Sequence, residues 1–406
     1  MNVIDYRDKP WHIQEPIEIR SNTIYRNGAI VSMSETPIYS FFKGYGSLNW
    51  GSEVVSNLDG VIFLKSKVPY DVPVVGKKVY FIGKDDYSPL DHGKHGFWAR
   101  VEWVTQLGGL VLDRIPKFLS GVYTMYIPAM IENVIFENIT LVGKSVYGLR
   151  AYLGKNFVFN NFKFRDNTYT GISLESTIES EVNDCHGSKG DHDTGAAYGV
   201  ALVGGCADVT VDGGSFSDYR HGVTVGGTEA TSDDITIQGV KASSCSDAGI
   251  DVHPNCDSVL ITSNIINVNS RVGNQSGDGI CVQNTNSIIS SNIIRNAKRE
   301  GILIQPATVE NSIHIASQNI LKDVLNGIVV DRITDTQMSV ELVHNIIKIK
   351  GGHRDCLIQG NNPNSGKKYP IIANVNGRHG LILDKRNVKI DCEHNVDGIV
   401  TTIEGV

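Results

Sequence analysis

The chain has no long hydrophobic run. None of its apolar stretches approaches the ~18 residues that a spanning helix needs, and no charged-then-apolar leader follows Met1, so neither a membrane span nor a secretory signal is expected. Basic charge is also short: 37 Lys and Arg against 44 Asp and Glu give a net charge of -7, with no Lys/Arg stripe to displace counterions from phosphates. Nucleic acid is therefore not an expected partner. The cysteines Cys185, Cys206, Cys245, Cys256, Cys281, Cys356 and Cys392 are odd in number and show no Cys-x-x-Cys spacing. They fit neither a disulfide framework nor a zinc site, and are read as reduced core residues. Proline is sparse, 12 against 42 glycines. That balance, with abundant Asn, Ser, Ile and Val, favours many short strands joined by tight turns.

What is present is a repeat. Aligned on Gly148, Gly171, Gly199, Gly222, Gly249, Gly279, Gly301 and Gly327, the segments read YGLRAY, TGISLE, YGVALV, HGVTVG, AGIDVH, DGICVQ, EGILIQ and NGIVVD, with glycines 22 to 30 residues apart. The first and third residues after each glycine are apolar, which is the period-2 burial of one strand face. The second and fourth are expected to face solvent. A further strand precedes each of these (VIFEN, FVFNN, VTVDG, ITIQG, VLITSN, IISSN), most ending in Asn or Gly. Asn138, Asn161, Asn264, Asn292 and Asn319 suit a stacked turn position, because Asn tolerates the left-handed conformation and can bond its equivalent about 4.8 Å away on the next coil. The fixed order of two strand patterns over successive coils predicts an all-β chain: a single-stranded right-handed parallel β-helix, or solenoid, with a small β insertion near the N-terminus.

Three regions are expected along the chain. Residues 1–39 form an opening coil, residues 40–130 an irregular β insertion with the first coils, and residues 131–406 the remaining coils. Within the insertion Trp98 and Trp103 are read as core rather than as a sugar platform. Long loops at Cys185–Ala197, Gly226–Asp234 and Asn269–Gly277 are expected to wall a groove.

The outward positions map the chemistry. Two residues after glycine stand Arg150, Ser173, Ala201, Thr224, Asp251, Cys281, Leu303 and Val329; four after it stand Tyr152, Glu175, Val203, Gly226, His253, Gln283, Gln305 and Asp331. Ala201, Val203, Thr224 and Gly226 are small and make a floor, bordered by Glu175 on one side and by Asp251 and His253 on the other. Tyr219, Arg220 and His221 precede Gly222, one coil from Asp251 and His253. A His beside a carboxylate is suited to general acid–base work, since the carboxylate orients the ring and stabilises its charged form. Glu175 and Asp251 lie three coils, about 14 Å, apart, too far for a glycosidase pair within one subunit. The loop residues His186, Asp191, His192 and Asp193 have a ligand-like composition but no metal-site spacing, so no metal or other cofactor is expected. Arg299-Glu300 and Asp331-Arg332 are read as solvated or self-paired charges.

The Gly-Ile-x-Val coils with terminal Asn resemble the pectin-lyase-like superfamily, which holds pectate lyases, polygalacturonases, alginate epimerases and bacteriophage tailspike depolymerases. The segment AGIDVHPNCDSVLITSNII resembles the Asp-Pro-His stretch of alginate-epimerase-type β-helices, with Val252 in place of the proline. This resemblance implicates Asp251 and His253 in catalysis. RHGVTVGG and the stretch from GKKVYFIG to GGLVLDRIP look more like phage tailspikes, although the Gly-Asp-Gly and Asp-Asp-Thr opening of that group is missing. The likeness implies a homotrimer, carried on a phage tail or released after lysis, that binds and cleaves a bacterial surface glycan.

On a uronate-containing glycan the expected reaction is β-elimination. Arg220 would neutralise the substrate carboxylate, His253 or His221 would remove the C5 proton, and an acid such as Tyr219 would protonate the leaving oxygen. Candidate glycan contacts are Arg150, Tyr152, Glu175, Thr224, Gln283 and His192. A glycoside hydrolase on the same scaffold, a polysaccharide C5-epimerase and a non-catalytic glycan-binding or receptor-binding β-helix remain as alternatives.

Overall fold

In the computed structural model the backbone is described for residues 1–406 except 35, 59–60, 70, 87–93, 115–122, 191–196, 227–229, 269–275, 284–285, 306–311, 333–337, 344, 350–355, 361–370, 378–380, 385–394, 397–399 and 404–406. The described residues contain strands and no helix, wound into a right-handed parallel solenoid of about 10 turns. No helix among them is long and apolar enough to cross a membrane.

Two parallel sheets run the length of the winding. In the thirteen-stranded sheet Leu149, Ile172, Val200, Val223, Ile250, Ile280, Ile302 and Ile328 stand in register on consecutive coils, all buried. Facing them across the core, Val134, Phe157 and then Phe159, Val182, Val211, Ile237, Ile261, Ile289, Ala316 and Leu342 line the twenty-two-stranded sheet. Aliphatic and aromatic side chains thus stack coil upon coil, and each coil buries the apolar edge of the one before it.

The repeated glycine has a steric cause. A Cβ on Gly279 would come 2.3 Å from the carbonyl oxygen of Gly301 on the next coil, and one on Gly199 would come 2.5 Å from that of Gly222. Close approach between coils, rather than an unusual backbone angle, excludes a side chain there.

The turn asparagines divide into two ladders. Asn138 and Asn161 are left-handed (φ 52 and 54), and Asn161 donates to Asn138 Oδ1 at 2.8 Å. Asn264, Asn292, Asn319 and Asn345 instead point inward and are buried, each Nδ2 donating to the next Oδ1 at 2.9, 3.0 and 2.9 Å. In that ladder the left-handed position belongs to the preceding residue, Ser263, Ser291 or Gln318. Freed from adopting the strained angle, the asparagine can tie its own coil to the backbone of the preceding one: Asn292 accepts from the amide of Asn264 and donates to the carbonyl of Ile261.

Between the first and second long coils the strands Ser47–Leu58, Val61–Leu64, Lys78–Asp86, Lys94–Val104, Leu110–Leu112 and Tyr123–Ala129 close an antiparallel barrel around Phe81, Phe97, Val101, Leu110 and Met125. Tyr80 and Trp98 stack at 4.4 Å on its outer wall and fasten it to the solenoid. The Tyr80 hydroxyl donates to Gly204 O at 2.6 Å and Trp98 Nε1 to Gly205 O at 2.8 Å, with Lys78–Asp208 and Arg114–Asp233 ion pairs beside them. Trp98 is therefore buried as expected. Trp103, beyond a bulge in the same strand and paired with Val111, is 57% exposed, which corrects its reading as core.

Cys185, Cys206, Cys245, Cys256 and Cys281 are free and buried. The side chain of Cys356 and the whole of Cys392 lie outside the described residues.

Candidate active site

The outer face of the thirteen-stranded sheet is a trough. Ser173, Ala201, Thr224, Asp251, Cys281, Leu303 and Val329 form one outward row in register from coil to coil, yet all are buried. Outward is thus not the same as exposed, and the expectation that this row faces open solvent is corrected. These short side chains lie at the bottom, while Tyr152, Glu175, His253 and Gln283 in the neighbouring row stay partly exposed along one rim. Ala248, Cys281, Leu303 and Val329 make the downstream floor apolar.

Asp251 is the charged group of that floor. It sits on the three-residue strand Ile250–Val252, between Thr224 on one coil and Cys281 on the next, and is 7% exposed. Its Oδ2 lies 3.0 Å from His253 Nε2 and 3.3 Å from His221 Nε2. Burial opposes ionisation of Asp251, but the facing His253, with His221 and Arg220, outweighs it and holds the carboxyl well below the usual carboxylate range. His253, two residues along the chain, keeps 39% of its side chain exposed. Asp251 raises its pKa against the opposing effect of burial.

His221 differs although it faces the same oxygen. It is wholly buried, burial pushes its pKa down, and its Nδ1 bonds the backbone of Ala248. Its Nε2 is close enough to Asp251 for a hydrogen bond but off the line that one requires, and has no bonded partner. Asp251 therefore shares its proton economy with the exposed imidazole, and His221 walls the site.

The preceding residues part company. Arg220 donates through Nε and Nη2 to Asp247 Oδ2 at 3.1 and 3.0 Å, so its charge is already matched. Asp247 also accepts the amide of Ser276 at 2.7 Å. Tyr219 is buried in the main core against Phe164, and its hydroxyl has no hydrogen-bond partner. It cannot reach a molecule in the trough, which corrects its assignment as the acid. Tyr219 lies on the bend between the strands Ser215–Ser217 and His221–Val225, directly after the left-handed Asp218 (φ 62), and its ring turns inside.

Two further residues belong to the site, and the repeat could have disclosed the first. Tyr198 stands immediately before Gly199, the repeat position that His221 holds on the next coil, and its ring stacks on His221 at 5.4 Å. Burial raises the pKa of its phenol, so it retains its proton. Asp247 was missed because it lies on the connecting segment ahead of the glycine strand.

The other candidates are spread along the trough. Arg150, Tyr152 and Glu175 stand at its upstream end, where Arg150 pairs with both oxygens of Glu175. Thr224 is on the floor beside Asp251, its buried hydroxyl without a hydrogen-bond partner. Gln283 is one coil beyond His253 and reaches Gln305 at 3.5 Å. His192, Asp191 and Asp193 lie outside the described residues, as do the middles of the three expected loops. His186 is on the strand His186–Ser188, bonded to Ser215. Further downstream Arg299 is paired with the fully buried Asp278, and burial beside Asp278 pushes the Glu300 carboxyl up to about 8. The side chain of Asp331 lies outside the described residues.

Among the described residues, His221, Asp251 and His253 form the one group of three whose donor atoms, all within 4.8 Å of one another, could join a metal ion. A metal there would occupy the His253 nitrogen that now faces Asp251.

No protein-family model matches the chain, and no curated protein matches it in sequence. Solved structures do match it. The Gp54 tailspike of Acinetobacter baumannii bacteriophage AP22, in complex with A. baumannii capsular saccharide, superposes with a TM-score of 0.66 at 15% identity, over 99% of this chain and 68% of that one. The tailspike gp61 of Pseudomonas phage phi297 gives 0.67 at 13% identity over 96% and 74%. The tailspike gp49 of Pseudomonas phage LKA1 gives 0.58 at 14% identity over 98% and 70%. At such identities the likeness is one of fold, and the chain has the right-handed parallel β-helix fold that these phage tailspikes have.

Proposed function

We propose that the protein is a tailspike-like depolymerase that binds a bacterial surface glycan in the trough and cleaves it, with His253 as the proton-transferring group. The observation that carries this reading is the 3.0 Å contact between His253 Nε2 and Asp251 Oδ2, at the end of a floor of small side chains. A carboxylate holding Nε2–H fixes the tautomer and leaves the lone pair on Nδ1, the arrangement a general base needs. Asp251 is then a positioning residue. The buried, unpartnered hydroxyl of Thr224 adds a polar group beside the dyad for a ligand to satisfy.

On a uronate unit His253 removes the C5 proton, the bond from C4 to the glycosidic oxygen breaks, and a C4–C5 double bond forms. Tyr198, stacked at the site with its proton retained, replaces Tyr219 as the acid that protonates the leaving oxygen. Hydrolysis is the second reading, and one observation favours it: Arg220 is already neutralised by Asp247, which weakens its grip on a substrate carboxylate. A panel of purified capsular polysaccharides tests both. Chain ends that absorb in the ultraviolet as unsaturated uronates support elimination, whereas new reducing ends without that absorbance point to hydrolysis. No shortening of any polymer, with binding retained, leaves a receptor-binding β-helix.

A homotrimer mounted on a phage tail belongs to the same reading. In its support, Ile265, Ile293, Ile320 and Ile346 form one outward row on the twenty-two-stranded sheet, with Ile265, Ile320 and Ile346 41, 41 and 63% exposed. An uncharged apolar row of that length suits contact with another copy.

A further inference from the structure

The upstream end of the trough is built differently from the dyad. Five tyrosines, Tyr39 and Tyr45 on the strand Ile38–Tyr45, Tyr147 and Tyr152 on Ser145–Tyr152, and Tyr169 on Asn167–Glu175, are gathered about the Arg150–Glu175 ion pair. Arg150 donates to the two oxygens of Glu175 at 2.6 and 3.0 Å and, through its remaining terminal nitrogen, to the Tyr39 hydroxyl. Its guanidinium carbon lies 5.9, 6.0 and 5.2 Å from the ring centres of Tyr39, Tyr45 and Tyr147. Tyr147 is 5.4 Å from both Tyr39 and Tyr169, the rings tilted at 57° and 58°.

This cluster is held yet open. The cation fixes the rings and is itself matched by Glu175, so the assembly carries no free charge. Even so, Tyr39, Tyr45 and Tyr169 remain 42, 47 and 40% exposed. Burial pushes the Tyr45 and Tyr147 hydroxyls up to about 12, so both keep their protons as donors. Rigid apolar ring faces edged by hydroxyls match a pyranose, which has C–H-rich faces and hydroxyls at its rim.

The cluster is also in line with the dyad. Arg150, Ser173, Ala201, Thr224 and Asp251 are successive partners in one row, four coil steps from end to end. At about 4.8 Å per step that is roughly 19 Å. The three positions between are small, so a chain can lie along them.

We propose that the tyrosine cluster around Arg150 and Glu175 is a distal subsite for neutral sugar units of the glycan, holding the polymer along the solenoid axis while the Asp251–His253 dyad acts four coils away. This rests on the depolymerase reading, and the test separates the two. The His253→Ala chain is applied to an array of neutral and acidic bacterial glycans graded from disaccharides to octasaccharides, alone and combined with Tyr169→Ala or Tyr169→Phe. Binding should appear only for glycans that contain neutral units and are long enough to span the trough. It should weaken about tenfold or more with Tyr169→Ala and persist with Tyr169→Phe, which keeps the ring face. In the otherwise unaltered chain, Tyr169→Ala should raise KM for polymer and leave kcat and the KM of short substrates unchanged.

Equal weakening for short and long glycans, retention of length-dependent binding in Tyr169→Ala, confinement of binding to wholly acidic glycans, or no binding to any glycan would overturn the subsite. Ring-dependent binding by a chain that cleaves nothing would keep the subsite and reject the depolymerase.

Discussion

Asp251 Oδ2 and His253 Nε2 lie 3.0 Å apart, the carboxylate buried and the imidazole 39% exposed. Two residues apart on one strand end, they divide the work: the protected group keeps its charge and the accessible one exchanges its proton. A base must be neutral, and Asp251 raises the pH at which His253 loses its proton. The acid limb of kcat/KM should therefore lie above the ~6.5 of an ordinary imidazole. In Asp251→Asn the raising charge is gone while burial, which lowers the imidazole pKa, remains, so the limb should move to lower pH as the maximal rate falls by about 10²-fold or more. A pH profile of glycan cleavage for both chains measures this. An unmoved limb would assign the titration to another group.

The same pair links stability to pH in two directions. The raised pKa of His253 contributes stability that is present below the unfolded value and is lost as pH rises through the folded one. The depressed pKa of Asp251 contributes stability present above the unfolded carboxylate value and lost as pH falls through the folded one.

Chelation distinguishes acid–base use of the trio from metal use. With His253 as the base, cleavage should survive prolonged EDTA treatment, and added zinc should inhibit by taking the nitrogens of His221 and His253. Activity assays before and after dialysis, with metal content measured on the same samples, provide the check. Loss with EDTA and recovery on adding a divalent ion would make the three side chains ligands instead.

Much of this was legible in the residues, for physical reasons. Gly199 and Gly279 recur because a Cβ would meet the next coil, so the repeat announces the winding directly. Asp251 and His253 could be paired from period-2 alternation alone, because each is an even number of residues past Gly249. The inward turn of Tyr219 was not legible, because it lies on a bend after the left-handed Asp218, where period-2 alternation gives no direction for its ring. The closure of the barrel was not legible, since antiparallel pairing across residues 47–129 leaves no repeat. Nor was the division of the asparagines: Asn161 and Asn264 look alike in sequence, and only the backbone angle of the residue before them separates the outer ladder from the buried one.

That buried ladder should dominate local stability. Asn292→Ala removes the acceptor for Asn264 N and Nδ2 and the donor to Ile261 O and Asn319 Oδ1. Each buried group left unsatisfied costs about 1–3 kcal/mol, so a substitution far from the trough should lower the unfolding midpoint clearly. The outer-ladder change Asn161→Ala, at an exposed turn with a single side-chain bond to Asn138, should cost less. Thermal denaturation of the two variants side by side gives the ordering, and a larger loss for Asn161→Ala would contradict it.

The isoleucine row predicts an association state that one substitution can change. If Ile265, Ile293, Ile320 and Ile346 face another copy, the 44.3 kDa chain should run at about three times that mass. Ile320 is near the middle of the row and 41% exposed, so Ile320→Asp removes no core contact but places a charge where two apolar faces would meet. Light scattering should then report a shift towards monomer, with the β-rich circular dichroism spectrum unchanged. Because the trough is on the other sheet, glycan binding by the monomer should survive if a single subunit holds the whole site. Cleavage lost together with trimerisation, with binding kept, would instead mean that a second subunit supplies a catalytic group, and a carboxylate brought in that way would move the mechanism to hydrolysis.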